Sequence, residues 1–415
     1  MHAWPASEVP ALPGQGRDLR IHDTATGALV PLDPGPVARI YVCGITPYDT
    51  THIGHAFTFL TFDILVRVMR HKGWDVTYVQ NVTDIDDDIL RKAKEVGLTW
   101  KELGDRETAR YLKDMRDLNW LEPDHYVRAT DHIAEMLDII QALIDKGHAY
   151  ERSDNVYFSV SSDPEFGKLS HIPRDQMLPI ANERGNTPDD PNKRDPLDFV
   201  LWQKSVDDEP SWDSSYGPGR PGWHVECSAM ASRYLGPSID IHGGGADLIF
   251  PHHESEVAQS ENAFGVEPFA RTWVHVAMVG YNGEKMSKSL GNLVLVSEAL
   301  KDYSADALRL YLFSNHYRSP WVFEDAQLER WARVADDLIE AAEFPAYGIE
   351  EELDVGNLRD RFFNALDDDL NTPIAIEVLQ EIGTGILEAP EEDDIRDAQR
   401  TLRELSDVLG LTLTA

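Results

Sequence analysis

The chain of 415 residues has only two cysteines, Cys43 and Cys227. That excludes a disulfide framework, which needs several pairs in a short chain. A pair so far apart in sequence leaves metal binding, catalysis or simple burial. No apolar run reaches the length that spans a bilayer. The first twenty residues hold Pro5, Pro10, Pro13 and Gly14 rather than the apolar segment of a secretory signal. A cytoplasmic chain without membrane contact is expected. Basic side chains are also scarce: 38 Lys and Arg stand against 73 Asp and Glu, a net charge of −35. Nucleic-acid binding is driven largely by Lys and Arg neutralising phosphates. No basic run occurs, so the imbalance weighs against a nucleic-acid partner. Solubility, or a saline cytoplasm, is the other source of such acidity.

What is present is an ordinary globular composition, 42% hydrophobic and 27% charged, with chain enough for two or three domains. The stretch Ile40 to His55 organises the rest. Ile40 to Val42 is a short apolar run that ends in Cys43 and Gly44. A turn with Pro47 and Asp49 follows, and then Phe57, Leu60, Ile64, Leu65 and Val68 recur at helical spacing. This reads as strand (39–43), loop and helix to about Lys72. Gly73 and a second apolar run, Val76 to Val79, complete a right-handed βαβ unit. The fold class is therefore α/β. In such sheets ligands sit at the carboxyl ends of strands, where helix N-termini favour anions. His52 and His55 open the first helix there. Asn81, Val82 and Thr83 end the second strand and are expected to touch ligand. The acidic run Asp84 to Asp88 fits a helix N-terminus.

Further along, residues 1–37 are expected to wrap the surface, and helical patterns continue to about Lys146. Residues 1–150 form the first half of a catalytic domain. Residues 151–222 look inserted, with short strand-like runs and the polar loop Glu183 to Asp195. The second half, 223–300, carries Gly222 to Met230, the triple glycine 243–245 and Phe250 to Glu256. The triple glycine lets a backbone approach a flat ligand. Residues 301–415 read as a helical bundle.

Cys43, Cys227 and His252, with Glu256 one helical turn beyond His252, make a soft and borderline donor set that suits zinc. His253 and Glu254 are candidates for the surrounding shell. Spacing alone does not separate this from two buried, inert cysteines. Gly280 to Gly291 is a glycine-bounded loop with Lys285 and Lys288, a composition that suits a mobile phosphate clamp.

Taken together, these segments resemble one family. His52-Ile53-Gly54-His55 and Lys285-Met286-Ser287-Lys288-Ser289 are similar to the two ATP motifs of class I aminoacyl-tRNA synthetases. Cys43, Gly222 to Met230 and Gly243 to Glu256 narrow the likeness to the cysteinyl-tRNA synthetase branch. The resemblance implies a Rossmann-like class I synthetase catalytic domain with an inserted connective domain and a C-terminal helical bundle. It implies one zinc per chain, on Cys43, Cys227, His252 and Glu256, holding the thiol of substrate cysteine. ATP with Mg is implied as a substrate complex. By the same likeness, Cys43, Gly44, Ile45, Thr46, Thr58 and Asn81 to Thr83 surround the aminoacyl and phosphate parts. Trp223 packs by the cysteine, Gly245, Ala246 and Asp247 hold the ribose and adenine side, and Val279 lines the adenine pocket. His52, His55, Lys285 and Lys288 stabilise charge on the phosphates.

Within the branch, Gly44-Ile45-Thr46-Pro47-Tyr48, Glu183-Arg184-Gly185, Lys193 to Asp198 and Met278 to Tyr281 are similar to the mycothiol cysteine ligases, which join cysteine to the amine of glucosaminyl-inositol. The chain also stops where a synthetase usually has an anticodon-reading module. Asn186-Thr187, Glu256 and Phe199 to Trp202 are closer to the synthetases. The expected partners are L-cysteine, ATP and glucosaminyl-inositol, acted on by a monomer. A compact cysteinyl-tRNA synthetase is the alternative enzyme. A paralogue that only binds is a third reading, opposed by the intact motifs.

Overall fold

The computed structural model describes residues 19–48, 51–206, 209–281, 284–286 and 292–414, with backbone alone at Glu284 and Lys285. Where the sequence suggests a surface wrap, residues 20–31 instead form an antiparallel hairpin, β1 (Arg20–Asp23) and β2 (Ala28–Pro31). It is tied down by Thr24 N–H to the Trp273 carbonyl (2.9 Å) and by His22 N–H to Asp369 Oδ1 (2.8 Å).

The centre is a five-stranded parallel sheet. Its N-terminal part runs β3 (Val37–Ile45), α1 (Ile53–His71), β4 (Asp75–Val82), α2 (Asp87–Val96), α3 (Trp100–Asp117), β5 (His125–Arg128) and α4 (Ile133–Asp145). β5 interrupts what the sequence suggests is continuous helix. It is four residues long and carries His125 and Arg128, so it shows no apolar run. The acidic run does start a helix: Asp86 caps α2 by accepting from Asp88 N–H (2.8 Å).

The insert contributes β6 (Ala149–Arg152), β7 (Asn155–Phe158), α5 (Arg174–Glu183), β8 (Phe199–Lys204) and β9 (Gly219–Pro221). Its strands form their own antiparallel sheet in the order β6-β7-β8-β9. The chain then returns through α6 (Trp223–Leu235), β10 (Ile239–Gly245), α7 (Glu254–Phe264) and β11 (Ala270–Val276). The central sheet has the order β11-β10-β3-β4-β5, so the chain departs to opposite sides of the β3–β10 pair. That is a topological switch point, where such sheets bind ligands at strand carboxyl ends.

β3 alternates between two cores, as the pleat requires. Ile40 and Val42 join the core under α1, whereas Tyr41 and Cys43 join the core under α6 and α7. α1 is buried from Phe59 to Met69 without a break, because both sheet and bundle cover it. Beyond the sheet come β12 (Val279–Tyr281), β13 (Glu284–Lys285), α8 (Val296–Ala299), α9 (Ala305–Phe313), β14 (Trp321–Phe323), α10 (Asp325–Glu343), α11 (Gly356–Asp367), α12 (Thr372–Glu388) and α13 (Arg396–Val408).

A buried charge group joins α1 to these last helices. Asp63 accepts from Arg67 Nε (3.0 Å), from Leu121 N–H (2.6 Å) and from Arg309 on α9. Arg309 also donates to the Leu409 carbonyl (3.0 Å) and the Leu118 carbonyl (2.8 Å). All three charged side chains are fully buried. Among the described residues, no helix is long and apolar enough to cross a membrane.

Candidate active site

Two structures face each other across the carboxyl ends of β3 and β10. The first is the N-terminus of α1. His52 caps it, with Nδ1 accepting from His55 N–H at 3.3 Å, and the two rings stack at 3.7 Å. Thr58 Oγ1 donates back to the Gly54 carbonyl (3.0 Å). The chain after the lysine loop is sewn to this end: Ile53 N–H donates to the Val294 carbonyl (2.9 Å), and Val296 N–H to that of Thr51 (3.1 Å). Lys288 and the side chain of Lys285 lie outside the described residues.

The second is a cluster of donors from three elements. β3 brings Cys43, α6 brings Cys227, and the turn into α7 brings His252 and then Glu256. Cys43 Sγ lies 3.5 Å from Cys227 Sγ, 3.6 Å from His252 Nε2 and 3.4 Å from Glu256 Oε1. His252 Nε2 is 3.1 Å from Glu256 Oε1. A tetrahedral zinc with bonds of about 2.0–2.3 Å separates its donors by roughly 3.3–3.8 Å, so the set fits such an ion. Burial opposes charge throughout. Even so, His242 and His252 hold the Glu256 carboxyl down at about 2, and Glu256 and the Cys227 sulfur push the His252 imidazole up to about 10. A metal ion held here would have to displace the His252 proton, so its affinity would fall in acid.

A ring of histidines surrounds the cluster; the sequence reading named His253 among them and passed over His224, His242 and His275. His242 Nε2 meets Glu256 Oε2 at 3.0 Å, and His224 Nδ1 meets His252 Nδ1 at 2.9 Å. His253 Nε2 lies 3.3 Å from Cys43 Sγ, and its Nδ1 meets His275 Nε2 at 2.7 Å. Burial, and then the neighbouring imidazoles, hold His253 and His275 far below the usual histidine range. They are neutral, as ligands or partners of ligands must be. Cys43, His242, His253 and Glu256 make a second set of converging donors. Their signal in the sequence is weak, because His242 and His275 lie on strands that read simply as buried. Glu254 does not belong to this shell. It accepts backbone N–H groups from Gly167 (2.9 Å) and Ser170 (2.7 Å) of the insert.

Between the two structures runs a cleft of about 1070 Å³. Cys43, Gly44, Ile45, Thr46, His52, His55, Thr58, Trp223, Gly245, Asp247, His252 and Val279 line it. Trp223 stacks on the His252 ring at 4.2 Å. Asn81, Val82, Thr83 and Ala246 do not border it. Asn81 instead accepts from Gly44 N–H through Oδ1 (2.8 Å) and donates to Thr83 Oγ1 (3.2 Å), bracing the turn after Cys43. A Cβ on Gly44 would come within 1.7 Å of the Asn81 carbonyl, so only glycine allows β3 and β4 to stay paired there. The triple glycine is explained differently from the sequence reading. A Cβ at Gly243 would collide with the Phe62 ring at 2.2 Å, and one at Gly244 would crowd Leu248 at 2.9 Å. Packing demands those two, and Gly245 alone borders the cleft.

An open parallel sheet with a helix N-terminus and a cluster of cysteine, histidine and glutamate at its switch point is the framework expected of a class I synthetase catalytic domain. A family model described as tRNA synthetases class I (C) catalytic domain matches residues 29–333, and a DALR domain model matches residues 361–414. Similar solved structures include Mycobacterium tuberculosis methionyl-tRNA synthetase in complex with methionyl-adenylate (TM-score 0.64, 16% identity, 90% of each chain covered). Thermus thermophilus arginyl-tRNA synthetase gives a TM-score of 0.58 at 14% identity, over 92% of this chain and 82% of that one. At these identities the likeness concerns the fold. Curated relatives are nearer. The L-cysteine:1D-myo-inositol 2-amino-2-deoxy-alpha-D-glucopyranoside ligase of Streptomyces avermitilis is 50% identical over 378 residues, 91% of each chain. The ligase of the same name from a Parafrankia species is 45% identical over 100% of this chain and 93% of its own. The chain belongs to this family of ligases within the class I synthetases.

Proposed function

We propose that this protein joins L-cysteine to the amine of 1D-myo-inositol 2-amino-2-deoxy-α-D-glucopyranoside in mycothiol biosynthesis, cleaving ATP to AMP and pyrophosphate through a cysteinyl-adenylate. The observation that carries this reading is the placement of the thiol-rich cluster and the α1 N-terminus on one cleft, in a chain of this family. Residues 1–150 and 223–300 supply the two halves of the catalytic domain, 151–222 the connective insert and 301–415 the bundle. We place it in the cytoplasm, as a monomer without a nucleic-acid partner.

Cys43, Cys227, His252 and Glu256 would hold a zinc ion, which when bound would supply a borderline Lewis acid for the thiolate of substrate cysteine. Trp223 then packs over the bound amino acid, and the turn Cys43 to Thr46, braced by Asn81, borders its main-chain end. Gly245, Asp247 and Val279 hold the nucleoside. The cysteine carboxylate attacks the α-phosphorus of ATP. The α1 N-terminus, with His52 and His55, stabilises the negative charge that builds on the phosphates, and Lys285 and Lys288 add to it. Pyrophosphate leaves. The sugar amine attacks the acyl carbon, the amide forms and AMP departs. No protein nucleophile takes part.

The test is the acceptor. With cysteine and ATP present, the aminosugar raises AMP release severalfold over the basal rate, and the rate changes little with salt, because the acceptor is not a polyanion. Transfer of cysteine to its tRNA at a matching rate overturns the assignment in favour of a compact synthetase.

Selectivity gives a second prediction. Serine is nearly isosteric with cysteine, and pocket shape alone separates such pairs by about a hundredfold at most. A neutral hydroxyl is a poor partner for a thiolate-seeking ion. Serine-dependent ATP–pyrophosphate exchange therefore falls more than about a hundredfold below the cysteine rate. Comparable exchange with the two amino acids rules out discrimination at the metal.

A further inference from the structure

Tyr41 stands two residues before Cys43 on β3 and points to the same face of the sheet. It is fully buried, packed against the His242 ring at 5.2 Å. Among the described residues its hydroxyl has no hydrogen-bond partner of good geometry. The titratable groups that face it are the Cys227 and Cys43 sulfurs and the Glu256 carboxylate. A sealed hydroxyl left without a partner is destabilising, so its retention beside a cluster of acceptors needs a cause.

The donor set provides one. Two thiolates and a carboxylate around a divalent ion leave one negative charge in excess, and a substrate thiolate makes it two. The neighbouring histidines serve Glu256, His252 and Cys43 (His242, His224 and His253); the ring that meets the Cys227 sulfur is His252, which would itself ligate the ion and so could no longer donate to that sulfur. We propose that the Tyr41 hydroxyl donates a hydrogen bond to the Cys227 thiolate of the metal-loaded site, and so is a positioning residue that lowers the charge on that sulfur and steadies the ion. The inference rests on the metal reading above.

The experiment loads the full chain with cobalt(II) in place of zinc and records the thiolate-to-cobalt charge-transfer absorption and the release of metal to a chelator. Tyr41→Phe keeps the ring and removes only the donor. The band shifts, and metal affinity falls about 10–100-fold, the usual cost of losing an outer partner. Tyr78→Phe is the control: that phenol is equally buried but donates to Gln80 Oε1 (2.7 Å) on the other core, and the substitution leaves the band in place. Should Tyr41→Phe fold poorly, 3-fluorotyrosine at position 41, a stronger donor, moves the band in the opposite sense to loss of the hydroxyl. A band and a release rate unchanged by either replacement overturn the proposal. A wild-type chain that takes up no metal overturns the metal reading itself, an outcome distinct from the first.

Discussion

Replacing Cys227 with Ala removes bound zinc and cysteine-dependent ATP–pyrophosphate exchange together. Cys227 lies in the first half of α6 and meets Cys43 Sγ at 3.5 Å. Without its sulfur, Cys43, His252 and Glu256 cannot complete a four-donor shell with the geometry zinc prefers. The substrate thiol then has nothing to bind that a hydroxyl does not also find. Losing even an outer partner of a metal costs about 10–100-fold in affinity or activity, so losing a ligand lowers exchange by at least about a hundredfold. The side chain is small and the helix continues on both sides, so the change leaves far-UV circular dichroism intact. Metal content by atomic absorption and exchange kinetics on the same preparation decide the matter. Full exchange by a metal-free protein sinks the zinc reading.

Replacing Asp63 with Ala destabilises the chain by about 3–5 kcal/mol, a large share of the 5–15 kcal/mol typical of a domain. The substitution leaves Arg67 and Arg309 buried side by side without their carboxylate. By contrast, Arg20→Ala breaks the half-exposed pair with Asp368 (2.8 Å) and changes stability by less than about 1 kcal/mol. Denaturation midpoints of the two variants in guanidinium chloride make the comparison, and equal shifts refute it. Burial opposes the charge on Asp63, but Arg67 and Arg309 outweigh it and hold its folded pKa below the ordinary carboxylate value. Its contribution is therefore complete above the unfolded pKa of about 3.9 and is lost only as pH falls through the folded value. Near neutrality, titration of this group leaves stability unchanged.

The elements legible in the sequence are those with a local signature. β3 and α1 announce themselves by an apolar run followed by helical spacing, and α2 by its aspartates. The candidate donor set Cys43, Cys227, His252 and Glu256 becomes coherent through resemblance, and the structure brings all four side chains together. What was not legible depends on which residues become neighbours. β5 has too few apolar residues to be recognised before it pairs with β4. His224, His242 and His275 come from three elements and meet only when the sheet is assembled. Asn81 looks like a ligand contact because it ends a strand, yet its amide holds Gly44 instead. The glycines 243 and 244 answer to Phe62 and Leu248, side chains distant or unremarkable in the sequence. The Asp63–Arg309 pair spans a separation in sequence that no local pattern bridges.

The alternation along β3 sets a limit on how this chain can vary. Ile40 and Val42 face one layer, and Tyr41 and Cys43 face the other. A shift of one residue reverses every side chain of a strand. A single deletion between Val37 and Val42 would therefore do more than move the Cys43 sulfur by one strand step of about 3.3 Å. It would carry the thiol through the sheet to the α1 side and leave Gly44, which has no donor, among Cys227, His252 and Glu256. Insertions and deletions in this strand are thus barred by chemistry as well as packing. The tight turn joining β1 and β2, exposed at Thr26 and Gly27, can change length without that penalty.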